Sequence, residues 1–113
     1  MWRIVNPDEV FYTPYPGSVS KIKRIIEGQK IGTKRIAGFG LIEVPPGGVF
    51  GPHTHPEREE VYYILAGSGA MIIDDREVPA GEGVVIYLSG EESHGLVNRT
   101  DKPLVVVFVT VTK

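Results

Sequence analysis

The sequence contains no cysteine. That excludes disulfide staples, thiolate metal ligands and thiol nucleophiles, and removes any sequence reason to expect an oxidising compartment. An excess of basic charge is missing too. Twelve Lys and Arg against 14 Asp and Glu leave a formal net charge of −2, which provides no electrostatic footprint for gripping a phosphate backbone. Nucleic acid is therefore not an expected partner. The longest apolar run, Leu104 to Val109, is far short of the roughly 20 residues that a helix needs to cross a bilayer. The opening MWRIVNPDEV reaches Pro7 and two acids before any secretory apolar core develops. A soluble cytoplasmic protein with no membrane partner is expected. Amphipathic helices are equally scarce, since no segment carries a 3.6-residue apolar stripe over three turns. Val19 to Glu27 is the best helical candidate, and its β-branched content weakens it.

What is present points to strands. A chain of 113 residues, 42% hydrophobic and 23% charged, is long enough for one core and too short for two ordinary domains. Fourteen Gly and nine Pro, without a collagen-like period, suggest many turns between short strands, hence an all-β domain. Ile36 to Val44 leads into PPGG at 45–48, Glu60 to Leu65 into Gly67-Ser68-Gly69, and Ala70 to Ile73 into Asp74-Asp75-Arg76. Val84 to Leu88 and Leu104 to Val111 continue the series, which at this spacing predicts a sandwich or barrel. Residues 1–113 read as a single domain in which 1–35 form an N-terminal extension. That extension holds Trp2, Phe11, Tyr12 and Tyr15, then the basic Lys21, Lys23, Arg24, Lys30, Lys34 and Arg35. It is expected to pack on the barrel as an aromatic-anchored strand and solvated basic hairpin, or on the partner subunit of a homodimer.

The chain's three histidines, His53, His55 and His94, all lie beside strand-like segments. Residues two apart in a strand share a face, so His53 and His55 can present two imidazoles to one point. Pro56 breaks that run and allows a turn that returns the Glu60 carboxylate towards them, with Tyr62 and Ile64 on the face of Glu60 and Val61, Tyr63 and Leu65 on the other. A lone His-x-His pair is as often structural as ligating. The added carboxylate and third His make a three-nitrogen, one-oxygen donor set suited to divalent Mn, Fe, Co, Ni or Zn, with Cu also compatible. The glycine pairs at 67–69 and 81–83 have no following helix to hold a phosphate and read as turns.

The stretch GGVFGPHTHPEREEVYYILAG resembles the first motif of the cupins, G-x5-H-x-H-x(3,4)-E-x6-G, through Gly47, His53, His55, Glu60 and Gly67. GEGVVIYLSGEESHGLVN is similar to the second, G-x5-P-x-G-x2-H-x3-N. His94 and Asn98 keep their spacing, Leu88 stands where Pro is usual, and Gly90 precedes His94 by one residue more than the pattern has. The resemblance runs from about Ile36 to Val111 and implies a double-stranded β-helix, a small jelly-roll barrel with the metal inside. The PPGG turn and both motif stretches look like those of small oxalate-decarboxylase-like cupins, for which manganese is one of the metals in question.

Three neutral imidazoles and one carboxylate around a divalent cation carry a formal charge of +1 and, at six-coordination, leave two open positions, which suits a small anionic organic ligand. The leading expectation is a metal-dependent enzyme acting on a small organic acid or carbonyl compound, decarboxylase-, dioxygenase- or isomerase-like. Its predicted metal ligands are His53, His55, Glu60 and His94, and Tyr62 is a candidate for the substrate pocket, weighed against simple core packing. No second carboxylate is assigned as general acid or base, because Glu43, Glu59, Glu91 and Glu92 all read equally well as surface residues. The alternatives are a non-catalytic ligand-binding or sensor module and a closed tetrahedral Zn site that serves stability alone.

Overall fold

Leu104, Val106, Phe108 and Thr110 are buried while Val105, Val107 and Val109 between them are only half-buried, the period-two pattern of a strand with one face on a core. Each fully buried aliphatic or aromatic side chain on that face contributes roughly 1.5–3 kcal/mol relative to exposure. The computed structural model, which describes residues 1–113, sets this strand at the centre of a sheet. The strands are β1 (Thr13–Pro14), β2 (Lys21–Glu27), β3 (Ile36–Val44), β4 (Val49–His53), β5 (Arg58–Ala66), β6 (Ser68–Ile73), β7 (Arg76–Gly81), β8 (Val85–Leu88), β9 (His94–Val97) and β10 (Leu104–Thr112). They form a six-stranded sheet in the order β1-β2-β3-β10-β5-β8 and a four-stranded sheet in the order β4-β9-β6-β7. Every pairing is antiparallel. This is the expected all-β, double-stranded β-helix architecture. Its core, including Ile42, Val44, Phe50, Ile64, Met71 and Leu96, lies between the sheets.

The helical expectation for Val19 to Glu27 is overturned. Residues 21–27 are strand β2, paired with β3 from Lys21↔Glu43 to Glu27↔Gly38. Ile22, Ile25 and Ile26 are β-branched, and an open edge of β3 satisfies their backbone where a short isolated helix would have had to nucleate alone. Helix is confined to a single turn, α1 (Gly28–Ile31), and a 3₁₀ turn at Pro7–Glu9.

Turn chemistry sets the register. Asp74 and Asp75, both at positive φ (45° and 66°), form the two-residue connection between β6 and β7 that matches strand twist. Between β3 and β4 the Gly48 N–H donates to the Pro45 carbonyl at 2.8 Å, with Gly47 at φ +73°. Asn98 fastens that turn to the barrel. Its buried amide donates to the carbonyls of Val44 (3.0 Å), Pro45 (3.2 Å) and Lys102 (2.7 Å), while its Oδ1 accepts from the Thr100 N–H (3.0 Å) and hydroxyl (2.7 Å). The motif asparagine is thus a hub between three chain segments. Asn98→Ala strips these carbonyls of their donor and is expected to cost about 2–4 kcal/mol. Urea unfolding checks this, and a loss under about 0.5 kcal/mol would contradict the hub.

Candidate metal centre

Strand pairing brings two of the three histidines together. In the β4–β9 ladder His53 stands opposite His94, the first residue of β9. Glu60 and Tyr62 point inward from β5, on the face that carries Ile64, as the parity of that strand predicted. His55 arrives by a different route from the one expected. Strand β4 ends at His53 after an irregularity between Phe50 and His53, so simple alternation does not place His55. A turn does. The His55 N–H donates to the Gly90 carbonyl (3.0 Å), and the His55 carbonyl accepts from the Arg58 N–H (3.0 Å).

One nitrogen from each imidazole and one oxygen of Glu60 lie within 4.8 Å of one another. His94 is wholly buried, and the Glu60 and His55 side chains are 7% and 16% exposed. The Glu60 Oε2 atom is 2.8 Å from His55 Nε2 and 3.2 Å from His94 Nε2. The extra residue before His94 does not displace it, because the Ser89–Ser93 loop absorbs the addition. There Glu92 accepts from the Ser89 hydroxyl and the Gly90 N–H, both at 2.8 Å, and the Ser93 N–H donates to Asp74 Oδ1 at 3.0 Å. Burial works to raise the Glu92 carboxyl, but hydrogen bonds from Ser89 and Gly90 outweigh it and hold the group below the usual carboxylate range.

The donor chemistry fits a cation. His53 Nδ1 faces the Gly51 carbonyl at 3.0 Å and His94 Nδ1 faces the Glu92 carbonyl at 3.2 Å. Each carbonyl can only accept, which places the proton on Nδ1 and leaves Nε2 as a lone pair in the neutral ring. The His94 lone pair then confronts a carboxylate oxygen, two acceptors with nothing to share. His55 Nδ1 is buried without a partner in either tautomer. A divalent ion would resolve the conflict between the facing acceptors, and carbonyl-oriented imidazoles are the usual outer support of such ions. Desolvation, ahead of the neighbouring charges, lowers the His53 pKa and favours the neutral, ligating form.

A cavity of about 550 Å³ opens onto His53, His55, Glu60 and Tyr62. Its walls come from β2, β3, β10 and β5, with Tyr15 and Phe50 on the opposite side. Tyr15 meets the Phe50 ring edge-on at 4.6 Å between centroids, and Phe50 in turn meets His53 at 5.0 Å. Tyr62 is part of the core and also lines this cavity. It is fully buried, its ring centroid is 6.1 Å from that of His94, and its hydroxyl has no hydrogen-bond partner. Burial, with the charge of Glu60 second, pushes its pKa well above the usual phenol value, so it stays a neutral donor. Sequence reading passed over Arg24, Phe50 and Tyr15 as cavity residues. Only the β2–β3 pairing and the docking of the two sheets bring them there.

Residues 40–110, more than half of the chain, match the family model described as Cupin domain. The chain is a cupin. A Thermotoga maritima protein named as oxalate-binding is 34% identical over 73 residues, 63% of this chain and 60% of that protein. Glucose-6-phosphate isomerase of Thermococcus kodakarensis is 31% identical over 62 residues, half of this cupin but 33% of the isomerase. The matches thus span less than two thirds of these relatives' own lengths. Among solved structures, a predicted oxalate decarboxylase of T. maritima superposes with a TM-score of 0.87 at 24% identity, over 98% of this chain and all of that one. A polyketide cyclase of Streptomyces resistomycificus superposes with a TM-score of 0.84 at 26% identity, over all of this chain and 81% of that one. Relatives of such different activity share the barrel, so the reaction has to be argued from the site.

Proposed function

We propose that this cupin is a metal-dependent enzyme acting on a small organic acid or carbonyl compound, with His53, His55, Glu60 and His94 as its metal ligands. The observation that carries the reading is four converging donors, three of which, His53, His55 and Glu60, line an open cavity. A stability-only Zn site would be sealed by protein, whereas here His53, His55 and Glu60 line accessible space. A bound divalent ion would supply Lewis acidity, or activation of dioxygen, towards an oxygen-bearing ligand. The chain's own contribution is to hold neutral imidazoles in place through Gly51 and Glu92, to exclude water behind His94, and to offer the Tyr62 hydroxyl as a donor to the ligand. The similarity to an oxalate-binding protein supports an anionic ligand.

Elemental analysis of natively purified protein tests the first half of this. About one Mn, Fe, Co, Ni, Cu or Zn per chain is expected, and none in His53→Ala; full occupancy in that variant would refute the site. A melting-temperature screen of small organic acids tests the second half, since ligands of the folded state raise the midpoint. Oxygen uptake with a hit indicates a dioxygenase, carbon dioxide release without net oxygen use a decarboxylase, and neither with an altered carbonyl position an isomerase. Tyr62→Phe removes a buried hydroxyl that has no partner, so the metal-free protein should gain up to about 1 kcal/mol in stability while ligand affinity falls. A variant that loses stability and keeps affinity would assign Tyr62 to packing alone.

In the same reading residues 1–113 act as one cytoplasmic cupin domain that pairs as a homodimer. The first 35 residues contribute β1 and β2 to the barrel sheet, and the segment before them lies across the partner. Trp2, Ile4 and Phe11, at 80%, 86% and 87% exposure, support this, because such apolar area in water favours a covering surface. Light scattering is expected to give twice the chain mass, and a monomer at working concentration would refute the pairing.

A further inference from the structure

The cavity lining is mixed. Its polar part includes Glu60, His53 and His55. Ile22, Ile42, Phe50 and Phe108 add an apolar belt. The exposed residues Arg24 and Lys34 stand at its mouth. The volume of about 550 Å³ lies within the roughly 300–1,000 Å³ range of pockets for drug-sized ligands. A two-carbon diacid replaces only a few waters of about 30 Å³ each, so it leaves the belt and the mouth untouched. The fit therefore favours a longer molecule.

Arg24 stands out among the charged lining residues. Ile22 and Arg24 lie two apart on β2 and both line the cavity, so strand parity turns the arginine towards it. Arg58 has Glu57 beside it at 3.7 Å and Glu27 is paired with Lys30, but no carboxylate lies within ion-pair distance of Arg24. Its one side-chain hydrogen bond is a long 3.5 Å contact to the Thr13 hydroxyl. Lys34 is also unpaired, but it sits in the bend after α1 and offers a point charge on a flexible stem. A strand-anchored guanidinium is better placed to read the two oxygens of a carboxylate or phosphate.

We propose that Arg24 is a specificity-determining residue that binds a second acidic group at the cavity mouth, selecting substrates with an acid at each end and an apolar body between. The inference rests on the metal-centred reading above, which places the first acid or keto-acid end against His53, His55, Glu60 and His94.

The test uses the full chain loaded with Mn(II) and four probes in matched pairs: 2-oxoglutarate with 2-oxohexanoate, and 4-carboxyphenylglyoxylate with phenylglyoxylate. Affinity is read by calorimetry and by melting-temperature shift. At least one diacid is expected to bind about ten-fold or more tightly than its monoacid partner, and Arg24→Ala and Arg24→Gln should each lower that diacid's affinity about 10- to 100-fold, the worth of a charged hydrogen-bonding pair. Monoacid affinity and metal content should stay within two-fold of the unchanged protein. Equal losses for mono- and diacids, no loss for the diacids, no advantage of either diacid, or no binding by any probe would each overturn the role of Arg24. Metal-free protein separates this from the broader reading. Diacids that bind equally well without metal, yet depend on Arg24, would sink the metal-centred reading and leave the mouth contact standing. Monoacids that bind only with metal, with no diacid preference, would do the reverse.

Discussion

Glu60→Gln is expected to lower divalent-metal affinity more than about 100-fold while leaving the fold intact. Losing an outer-shell partner of a metal ligand already costs about 10- to 100-fold, and Glu60 is the only anion among the four donors. Without it the loaded site rises from a formal charge of +1 to +2 among buried groups, a change that low-dielectric surroundings penalise. The metal-free fold should tolerate the exchange. Glutamine keeps the shape of the side chain, and its amide can donate to the Nε2 lone pair of His94, where a carboxylate can only accept. The predicted signature is therefore a split. The metal-free melting temperature should move by no more than a few degrees, and the rise on adding metal, about 2.7 kcal/mol at a hundred times Kd, should vanish. Calorimetric titration against a competing chelator checks the affinity. Wild-type affinity in the variant would remove Glu60 from the ligand set, and collapse of the metal-free fold would mean that the carboxylate's main work is structural.

Gly90→Ala should be the most damaging single methyl group in the chain. Gly90 sits at φ +92°, where an L side chain is strained, and a Cβ there would overlap the Arg58 carbonyl and stand 2.5 Å from that of His55. Strain of about 1–3 kcal/mol and a similar cost for forcing backbone apart sum to about 2–6 kcal/mol, a large share of the ~5–15 kcal/mol that holds a domain folded. Gly83→Ala is the matched control, since Gly83 has φ +87° and open space around its would-be Cβ. It should lose only the strain. Denaturant midpoints of the two variants measure the difference directly. Metal affinity should fall in the first variant alone, because the Gly90 carbonyl anchors the His55 backbone. Equal destabilisation of the two would show that the close approach at Gly90 carries no cost of its own.

The barrel was legible where apolar periodicity was long. Ile36 to Val44 and Leu104 to Val111 were read as strands, and β3 and β10 match them to within a residue. The shorter β4, β7 and β9 were not drawn as strands. VFGPH, REVPAG and HGLV contain Gly or Pro and carry little β-branched weight, and it is their neighbours in the sheet that make them strands. The Val19 to Glu27 segment failed as a helix for the same reason, since pairing with β3 outweighed local preference. At the site, the spacing of His53, His55, Glu60 and His94 was enough to foresee their meeting, and the parity of β5 placed Tyr62 on the correct face. The path of His55 was not legible, because it leaves the strand at a Pro-containing turn. Nor was the role of Arg24 as a lining residue, which depends on β2 folding back along β3.

The central position of β10 also dictates an order of assembly. β3 and β5 hydrogen-bond to β10 along nearly their whole lengths. Both must wait for residues 104–112, some 40 to 60 positions further along the chain, before either has a neighbour on that side. Such distant pairing makes for slow folding and leaves bare strand edges open to wrong partners in the interval. A chain emerging from the ribosome would hold His53, His55, Glu60 and His94 unassembled until this last strand inserts, so the fully formed cluster becomes a report that the sheet has closed.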